Sequence, residues 1–567
     1  MYFFKFLSYF YFYFLFFIKT KFYNIIKQKS KKTKIYRAFN FFTIFCSVFA
    51  VFCVSSSLIA QNSDFTASRP NIIFILADDL GAHDLGYTGS LLHETPNLDK
   101  LAEKGVVFTS GYAACAVCSP TRAAIQTGKS PARLGITDWI RARFQGGTPP
   151  VMEDGKWPYV QEIKNGLFTP KNPIQLECEE KTIAEYLKEC GYATCFIGKW
   201  HLGTNDFFPD KQGYDENFGG CDLGQPPSYF DPYYPGSTEK KAGDPTKNPQ
   251  YRIQNLPPRR QGEFLTDREA DEAVKFIRRN LDAKKPFFIQ LSHYAVHSPT
   301  MGKSDIIKKY EEKKRLMAKT DDKLLTPFHG DQGEPDAATQ KSPRHRNPAY
   351  AALVESVDDA LGTILSAVEE MGISENTIII FTSDNGGFCG QTDNFPLRSG
   401  KGTPYEGGIR VPWIIYVPSA VEPKMNNAPK ICNIPITSVD ILPTLLDFAG
   451  SPLTAEKQDS AELEGISIRP LITGEIQNFT RDTLFWHFPH YRRGYNPYSI
   501  IRNENWKLIR FYTNNGVKLE LYDLSEDPRE LKNVAQENAQ IVQQLTEKLD
   551  EWLKKTGARI PRSTKEE

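Results

Sequence analysis

The sequence predicts an α/β protein: a large domain whose central, mostly parallel sheet is sandwiched by helices, then a small C-terminal α+β domain with an antiparallel sheet. Three observations predict it. Short runs of Ile, Phe, Leu and Val, fit for buried strands, alternate with amphipathic helical patterns along most of the 567 residues, the pattern of a sheet fed by crossover helices. Groups of Asp, His and Lys follow directly on several of those runs. From about Gly465 the texture changes to a hairpin pattern and one closing helix.

Residues 1–60 form the first element. They hold 21 of the 71 aromatic residues and nine Lys+Arg but no Asp or Glu. An apolar run at 1–18, a Lys-rich stretch from Lys19 to Arg37 and a second apolar run from Phe41 end in the small residues before Ala60, the pattern of a secretory signal peptide. Cleavage near Ala60 and a secreted or periplasmic product are expected; a retained anchor is the alternative, since the second run nearly spans a bilayer. If the leader is cleaved, no stable membrane association is expected. The body then carries 60 basic against 68 acidic side chains, a formal −8, which argues against a nucleic-acid partner. Eight of the ten cysteines lie in this body, scattered and without zinc-finger spacing, so their pairing stays open.

The body divides into a catalytic domain at 61–464 and the α+β domain at 465–567. Asn71–Ala77, Ala193–Ile197, Pro286–Leu291 and Thr377–Thr382 are buried-strand patterns. Helices are expected at Asn97–Lys104, with Gly105 as its stop, and at Thr182–Cys190, Thr266–Leu281 and Pro348–Met371. Trp506–Tyr512 and Lys518–Tyr522 read as a hairpin around Asn514-Asn-Gly516, followed by a helix over Asn538–Lys555. Polar stretches at about 141–173, 236–262 and 320–347 read as long surface loops.

The chemistry gathers after the strands. The first ends in Asp78-Asp79, the next in Lys199-Trp-His201, another in His293-Tyr-Ala-Val-His297 and the last in Asp384-Asn385. Ligands of open α/β sheets bind beyond the carboxyl ends of strands, so clusters spanning over 300 residues would converge. Three carboxylates brought together repel one another unless a cation neutralises them. All-oxygen donors favour Ca²⁺ or Mg²⁺ over zinc. Lys401 follows a Gly-rich segment. His293 and His297 lack the Glu of a zinc-protease helix; His297, farther beyond the strand, is taken as the functional one and His293 as structural. His487 and His490 fit either aromatic packing or a pocket.

Cys118-Ser-Pro-Thr-Arg122, followed by Ala-Ala-Ile-Gln-Thr-Gly128, is the sharpest pattern. Pro120 suits a first helical turn, so Cys118 would present backbone N–H groups to an anion, and Arg122, one turn in, adds a fork of donors. Physical chemistry alone reads this as a nucleophilic thiol at an anion site.

Together these segments resemble the type I, formylglycine-dependent sulfatases, members of the alkaline phosphatase-like superfamily. The resemblance rests on Cys118-x-Pro-x-Arg122 with its trailing Ala-Ala-x-x-Thr-Gly, on Pro70-Asn-Ile-Ile-Phe-Ile-Leu-Ala-Asp-Asp79, on Gly198-Lys-Trp-His-Leu-Gly203, on Asp384-Asn-Gly-Gly387 and on Leu521-Tyr-Asp-Leu with Asp527-Pro. It implies that Cys118 is converted to 3-oxoalanine (Cα-formylglycine) by a formylglycine-generating or sulfatase-maturating enzyme. It implies one Ca²⁺ held by Asp78, Asp79, Asp384, Asn385 and an oxygen of the modified Cys118. One hydroxyl of the hydrated aldehyde would attack sulfur, and the other would expel sulfate by collapse to the aldehyde. Arg122 would favour ionising the nucleophile, His201 would assist the gem-diol, and Lys199, Lys401 and His297 would hold sulfate oxygens. His297 or Lys401 would serve the leaving alkoxide.

The expected substrate is a sulfated carbohydrate, a polysaccharide or glycosaminoglycan oligosaccharide. Trp- and Tyr-rich loops suit it, because sugars stack on aromatic rings. Alternatives are an arylsulfatase of broad specificity, a phosphate or phosphonate ester hydrolase of the same superfamily, and a non-catalytic sulfated-glycan-binding protein.

Overall fold

In the computed structural model, residues 69–141, 159–162, 166–246, 251–320, 347–460 and 462–565 are described; the leader, nearly all of the 320–347 stretch, 142–158 and 163–165 of the 141–173 stretch and 247–250 of the 236–262 stretch lie outside them. The frame is an eight-stranded sheet made of β1 (Asn71–Ala77), β2 (Val106–Phe108), β3 (Ala193–Gly198), β4 (Glu216–Phe218), β5 (Phe287–Ser292), β6 (Thr377–Ser383), β7 (Trp413–Tyr416) and β8 (Ile431–Cys432). Their order across the sheet is β8-β2-β7-β6-β1-β5-β3-β4. β1 pairs in parallel with both β5 and β6, and β3 pairs in parallel with β5 and β4. β7 runs antiparallel to β6 and β2, so the sheet is mixed at one side and parallel through the centre.

Every residue of β1, β3, β5 and β6 is buried. A strand buried on both faces gains from apolar side chains at every position rather than at alternate ones, which is why Asn-Ile-Ile-Phe-Ile-Leu-Ala and Thr-Ile-Ile-Ile-Phe-Thr-Ser lack a polar stripe. The cover comes from two groups of helices. α1 (Pro96–Lys104), α4 (Leu265–Asp282), α5 (Ser304–Thr320) and α6 (Pro348–Glu370) pack together, and α2 (Cys118–Thr127) packs with α3 (Ile183–Glu189) and Ile441–Phe448. α3 begins at a capping box in which Thr182 accepts from the Glu185 N–H and the Glu185 side chain accepts from the Thr182 N–H, satisfying two otherwise orphaned donors.

The C-terminal sheet holds β9 (Thr483–Phe488), β10 (Tyr498–Asn503), β11 (Trp506–Thr513) and β12 (Gly516–Asp523), all antiparallel, followed by α7 (Ala539–Thr556). β11 and β12 turn at Asn514-Asn515, with Gly516 at φ +110°. The sheet has an inner and an outer apolar cluster. Ile501, Leu508 and Leu521 pack with Leu545, Leu549 and Leu553 of α7. Trp486, Ile500 and Tyr498 pack with Tyr112, Val117 and Tyr405 from outside that sheet. The inner cluster therefore backs directly onto the residue before Cys118.

Two parts of the sequence reading need correction. The stretch 141–173 is not all loop: Tyr159–Glu162 and Leu167–Pro170 are antiparallel strands, and Arg562–Ser563 from the far end of the chain pairs with the second. α5 is a further helix that the apolar pattern does not announce; Tyr310 on it packs against Leu92 and against Ala351 and Ala352 of α6. No helix among the described residues is long and apolar enough to cross a membrane.

Candidate active site

Because β1, β3, β5 and β6 are parallel, their carboxyl ends share one edge of the sheet, and the polar groups that follow them meet there. Asp78-Asp79 leave β1, Lys199 and His201 leave β3, His293 to His297 leave β5, and Asp384-Asn385 leave β6. Asp79 and His201 sit at φ +64° and +60°, in a left-handed region that Asp and His enter more readily than most residues and that recurs at functional sites.

Each carboxylate is paired with a base. Lys199 Nζ lies 2.5 Å from Asp78 Oδ2. Lys401 Nζ lies 2.5 Å from Asp79 Oδ1, which also accepts from Asn385 Nδ2 at 2.8 Å. Arg122 Nε donates to Asp384 Oδ2 at 2.9 Å and Arg122 Nη1 to the Lys199 carbonyl at 2.6 Å. Arg122 Nη2 is 2.8 Å from the same Asp384 oxygen, an ion pair without a directed hydrogen bond. The Asp79 N–H donates to Asp384 Oδ1 at 3.2 Å, tying β1 to β6.

Burial, with repulsion from Asp384, pushes the Asp78 carboxyl well up from its ordinary range, against the pull of Lys199. For Asp79 burial acts the same way, but Lys401, His297 and Lys199 together outweigh it and hold the group low. Asp384 is likewise held low against burial by Arg122 and Lys199. Burial works against the Lys401 charge, yet Asp79 beside it keeps the ammonium protonated to higher pH than usual.

Two oxygens in this cluster are buried without any hydrogen bond, Asp78 Oδ1 and Asn385 Oδ1. A buried polar atom left unpaired is costly, and oxygens aimed among carboxylates are what a hard cation takes. Among the described residues, Asp78, Asp79 and His297 form a group of acids and histidine close enough to hold a metal. Asp384 and Asn385 adjoin it through their bonds to Asp79.

Cys118 is the first residue of α2, with Val117 as an N-cap whose side chain makes no cap bond, so the first N–H groups of the helix are open to an anion. His201 Nε2 faces the Ile140 carbonyl at 2.7 Å, which assigns its proton to Nε2 and leaves Nδ1, buried and unbonded, as a lone-pair acceptor. Burial and the charge of Lys199 keep that ring neutral. His297 Nδ1 is 2.9 Å from the Ser298 carbonyl and Nε2 is 3.5 Å from Asp79 Oδ2; burial and Lys401 lower its pKa to about 3.

His293 is held apart from this group by Glu269, 2.7 Å from Nδ1. His487 and His490 are buried packing residues: His487 bonds Ser499 Oγ and His490 bonds Thr137 Oγ1, both at 2.8 Å. Among the described residues, Cys115, Cys118, Cys178, Cys190, Cys195, Cys221 and Cys432 are free of disulfides.

Cys118, His201, His297 and Lys401 open into one cavity of about 270 Å³, whose wall also includes Trp139, Tyr251 and Arg492. The sequence reading missed these last three as site residues. Their only local sign is that each is a ring or a cation in a loop between elements.

The sulfatase family model matches residues 70–451, and the model of the N-sulphoglucosamine sulphohydrolase C-terminal region matches residues 400–555. A sulfatase of Formosa agariphila is 32% identical over 563 residues, covering 88% of this chain and 91% of that protein. The N-acetylgalactosamine-6-sulfatase of Canis lupus familiaris is 32% identical over 421 residues, covering 71% and 66%. The crystal structure of Ps i-CgsB in complex with k-i-k-neocarrahexaose superposes with a TM-score of 0.65 at 26% identity, covering 86% of this chain and 93% of that one.

Proposed function

The chain belongs to the sulfatase family, hydrolases of sulfate esters, and we propose that it removes sulfate from a sulfated carbohydrate, with Cys118 matured to Cα-formylglycine and one Ca²⁺ bound beside it. The observation that carries this reading is the pair of unbonded buried oxygens, Asp78 Oδ1 and Asn385 Oδ1, set next to Asp79 and Asp384 at the open start of α2. Asp78, Asp79, Asp384, Asn385 and an oxygen of the matured Cys118 would hold the ion. When present, the two groups supply a hydrated-aldehyde nucleophile and a dication that offsets charge on the sulfate oxygens.

The chain's own residues then divide the remaining work. Arg122, held against Asp384 through Nε and Nη2, adds positive charge at the cluster, and Lys199 and Lys401 bring theirs to the sulfate oxygens from almost wholly buried positions, where such charge acts strongly. His201 Nδ1, neutral and unbonded, accepts a proton from the nucleophilic hydroxyl. Lys401, kept charged by Asp79, holds a proton at Nζ for the leaving alkoxide. His297, whose Nδ1–H faces the Ser298 carbonyl, offers Nε2 as an acceptor for the hydroxyl of the departing alcohol once that oxygen is protonated. A maturating enzyme is the required partner, and the apolar leader supports export to the periplasm or medium.

A carbohydrate substrate is supported by the rings of Trp139 and Tyr251 in the cavity wall, since apolar walls with a few placed polar groups suit sugar rings. Release of inorganic sulfate from carrageenan oligosaccharides, galactosamine-6-sulfate oligosaccharides and 4-nitrophenyl sulfate tests it. At least one saccharide is expected to exceed the aryl ester by about 100-fold in kcat/KM. Turnover of the aryl ester alone would remove the carbohydrate, and faster cleavage of the corresponding phosphate esters would remove the sulfate.

A further inference from the structure

The wall of the active-site cavity includes one cation from the C-terminal domain. Arg492 lies in the connection between β9 and β10, where it bridges to Tyr495, yet it shares the cavity with Cys118, His201 and Lys401. Its Nη1 donates to Asp138 Oδ1 at 3.2 Å, and its Nε is buried without an acceptor. Gly402, the residue after Lys401, has φ +84°, and a Cβ there would come 2.8 Å from Arg492 Nε. The guanidinium therefore lies directly against the backbone that carries Lys401.

Asp138 is fixed from several sides. Asn172 Oδ1 accepts from the N–H groups of Thr137 and Asp138 at 2.9 and 3.0 Å. The Ile140 N–H donates to Ser119 Oγ at 2.9 Å, next to Cys118, and the Ile140 carbonyl faces His201. Asp138 Oδ1 takes the Trp139 N–H at 2.8 Å as well as Arg492, and among the described residues Oδ2 has no hydrogen bond. Both side chains keep about a fifth of their surface exposed, 22% for Asp138 and 23% for Arg492, beside the Trp139 ring.

We propose that Arg492 and Asp138 form a specificity clamp that grips two neighbouring hydroxyls of the sugar carrying the scissile sulfate, with Trp139 as an apolar wall. The pair offers donors and an acceptor side by side, which suits vicinal hydroxyls because each hydroxyl both donates and accepts. Arg492 is already neutralised by Asp138, so the pair selects uncharged hydroxyls and not a second sulfate; an unpaired arginine would do the reverse. This inference rests on the carbohydrate sulfatase reading.

The test compares the matured full-length enzyme with Arg492→Ala and the nearly isosteric Asp138→Asn, on the best singly sulfated oligosaccharide of the panel and on 4-nitrophenyl sulfate. The desulfated oligosaccharide serves as competitive inhibitor. In Arg492→Ala the ratio of kcat/KM for the saccharide to that for the aryl ester is expected to fall about 30-fold, and the inhibition constant of the desulfated sugar to rise about 10-fold. Asp138→Asn should shift both in the same direction by about 10-fold, which keeps the test valid should the alanine variant misfold. An unchanged ratio, through equal loss on both substrates or none on either, overturns the clamp, as does a loss seen only with doubly sulfated sugars. Wild-type enzyme that cleaves no sulfated saccharide sinks the carbohydrate reading instead, before any variant is compared.

Discussion

Two buried clusters of acids and bases lie at opposite ends of the short segment 399–409, and they have opposite characters. At one end Lys401 joins Asp78, Asp79, Asp384, Lys199 and Arg122. At the other, Glu406 accepts from Lys507 Nζ at 3.0 Å and from the Tyr112 hydroxyl at 2.7 Å, while its own N–H donates to Glu530 Oε2 at 2.7 Å. Glu530 Oε1 has the Lys507 ammonium 2.8 Å away, and Arg502 donates to the Tyr112 hydroxyl. Lys507, Glu406 and Glu530 are almost wholly buried. The second cluster ties the C-terminal sheet to the 399–409 segment, and its oxygen without a directed hydrogen bond, Glu530 Oε1, still lies 2.8 Å from the Lys507 ammonium. The first leaves Asp78 Oδ1, Asn385 Oδ1 and His201 Nδ1 unbonded beside a cavity. Acidic and basic residues in close contact do not by themselves mark a site; buried acceptors left without a partner close to a cavity do.

The contrast is sharpened by substituting in each cluster. Asp78→Asn should lower sulfate release by about 1000-fold. It should leave the midpoint of thermal unfolding within a few degrees, because the substitution sheds repulsion from Asp384 and Asp79 along with the attraction of Lys199; an unfolded variant, or an active one, breaks the comparison. Lys507→Met should do the reverse. It strands Glu406 and Glu530 without their cation and should cost about 3 kcal/mol in denaturant unfolding, with turnover per folded molecule within about threefold of wild type.

The smallest effect is a pH dependence of stability. Burial, only partly opposed by Lys507, raises Glu530 to about 7 from an ordinary 4.5, so the folded state holds this proton more tightly than the unfolded chain. The resulting stabilisation is full below about pH 4.5 and is lost as pH rises through about 7. Glu406, brought down to about 2 against its burial by Lys507 and Arg502, contributes nothing variable in that window. Relative to Glu530→Gln, the wild type should lose about 2 kcal/mol between pH 4.5 and 8; parallel curves for the two proteins would remove the assignment.

Much of this was legible in the sequence, and the reason is physical. β1 and β6 are covered on both faces, so their apolar runs are unbroken and readable, and the polar groups that end them must lie at the sheet's edge. Cys118-x-Pro-x-Arg122 is local in the chain and needs no partner to be noticed. Arg492 and Trp139 could not be read in this way, because the wall they share exists only once the β9–β10 connection docks on residues 137–140, where Arg492 meets Asp138. The pairing of Arg562–Ser563 with Leu167–Pro170 was hidden for the same reason, nearly 400 residues apart. α5 was obscured by its Lys/Glu-rich composition, with only a thin stripe through Ile306, Ile307, Tyr310 and Met317 packed inward. His487 and His490 carried no sign that Ser499 and Thr137 would occupy them.

Under the proposed function Cys118, at the open start of α2, works as formylglycine in sulfate ester hydrolysis. Mass spectrometry of the tryptic peptide Gly105–Arg122, on preparations made with graded amounts of a maturating enzyme, tests it most directly. The peptide should carry the mass deficit of formylglycine at Cys118 and not at Cys115, with specific sulfatase activity rising in proportion to the modified fraction. Full activity from a preparation in which Cys118 is an unmodified thiol would contradict it.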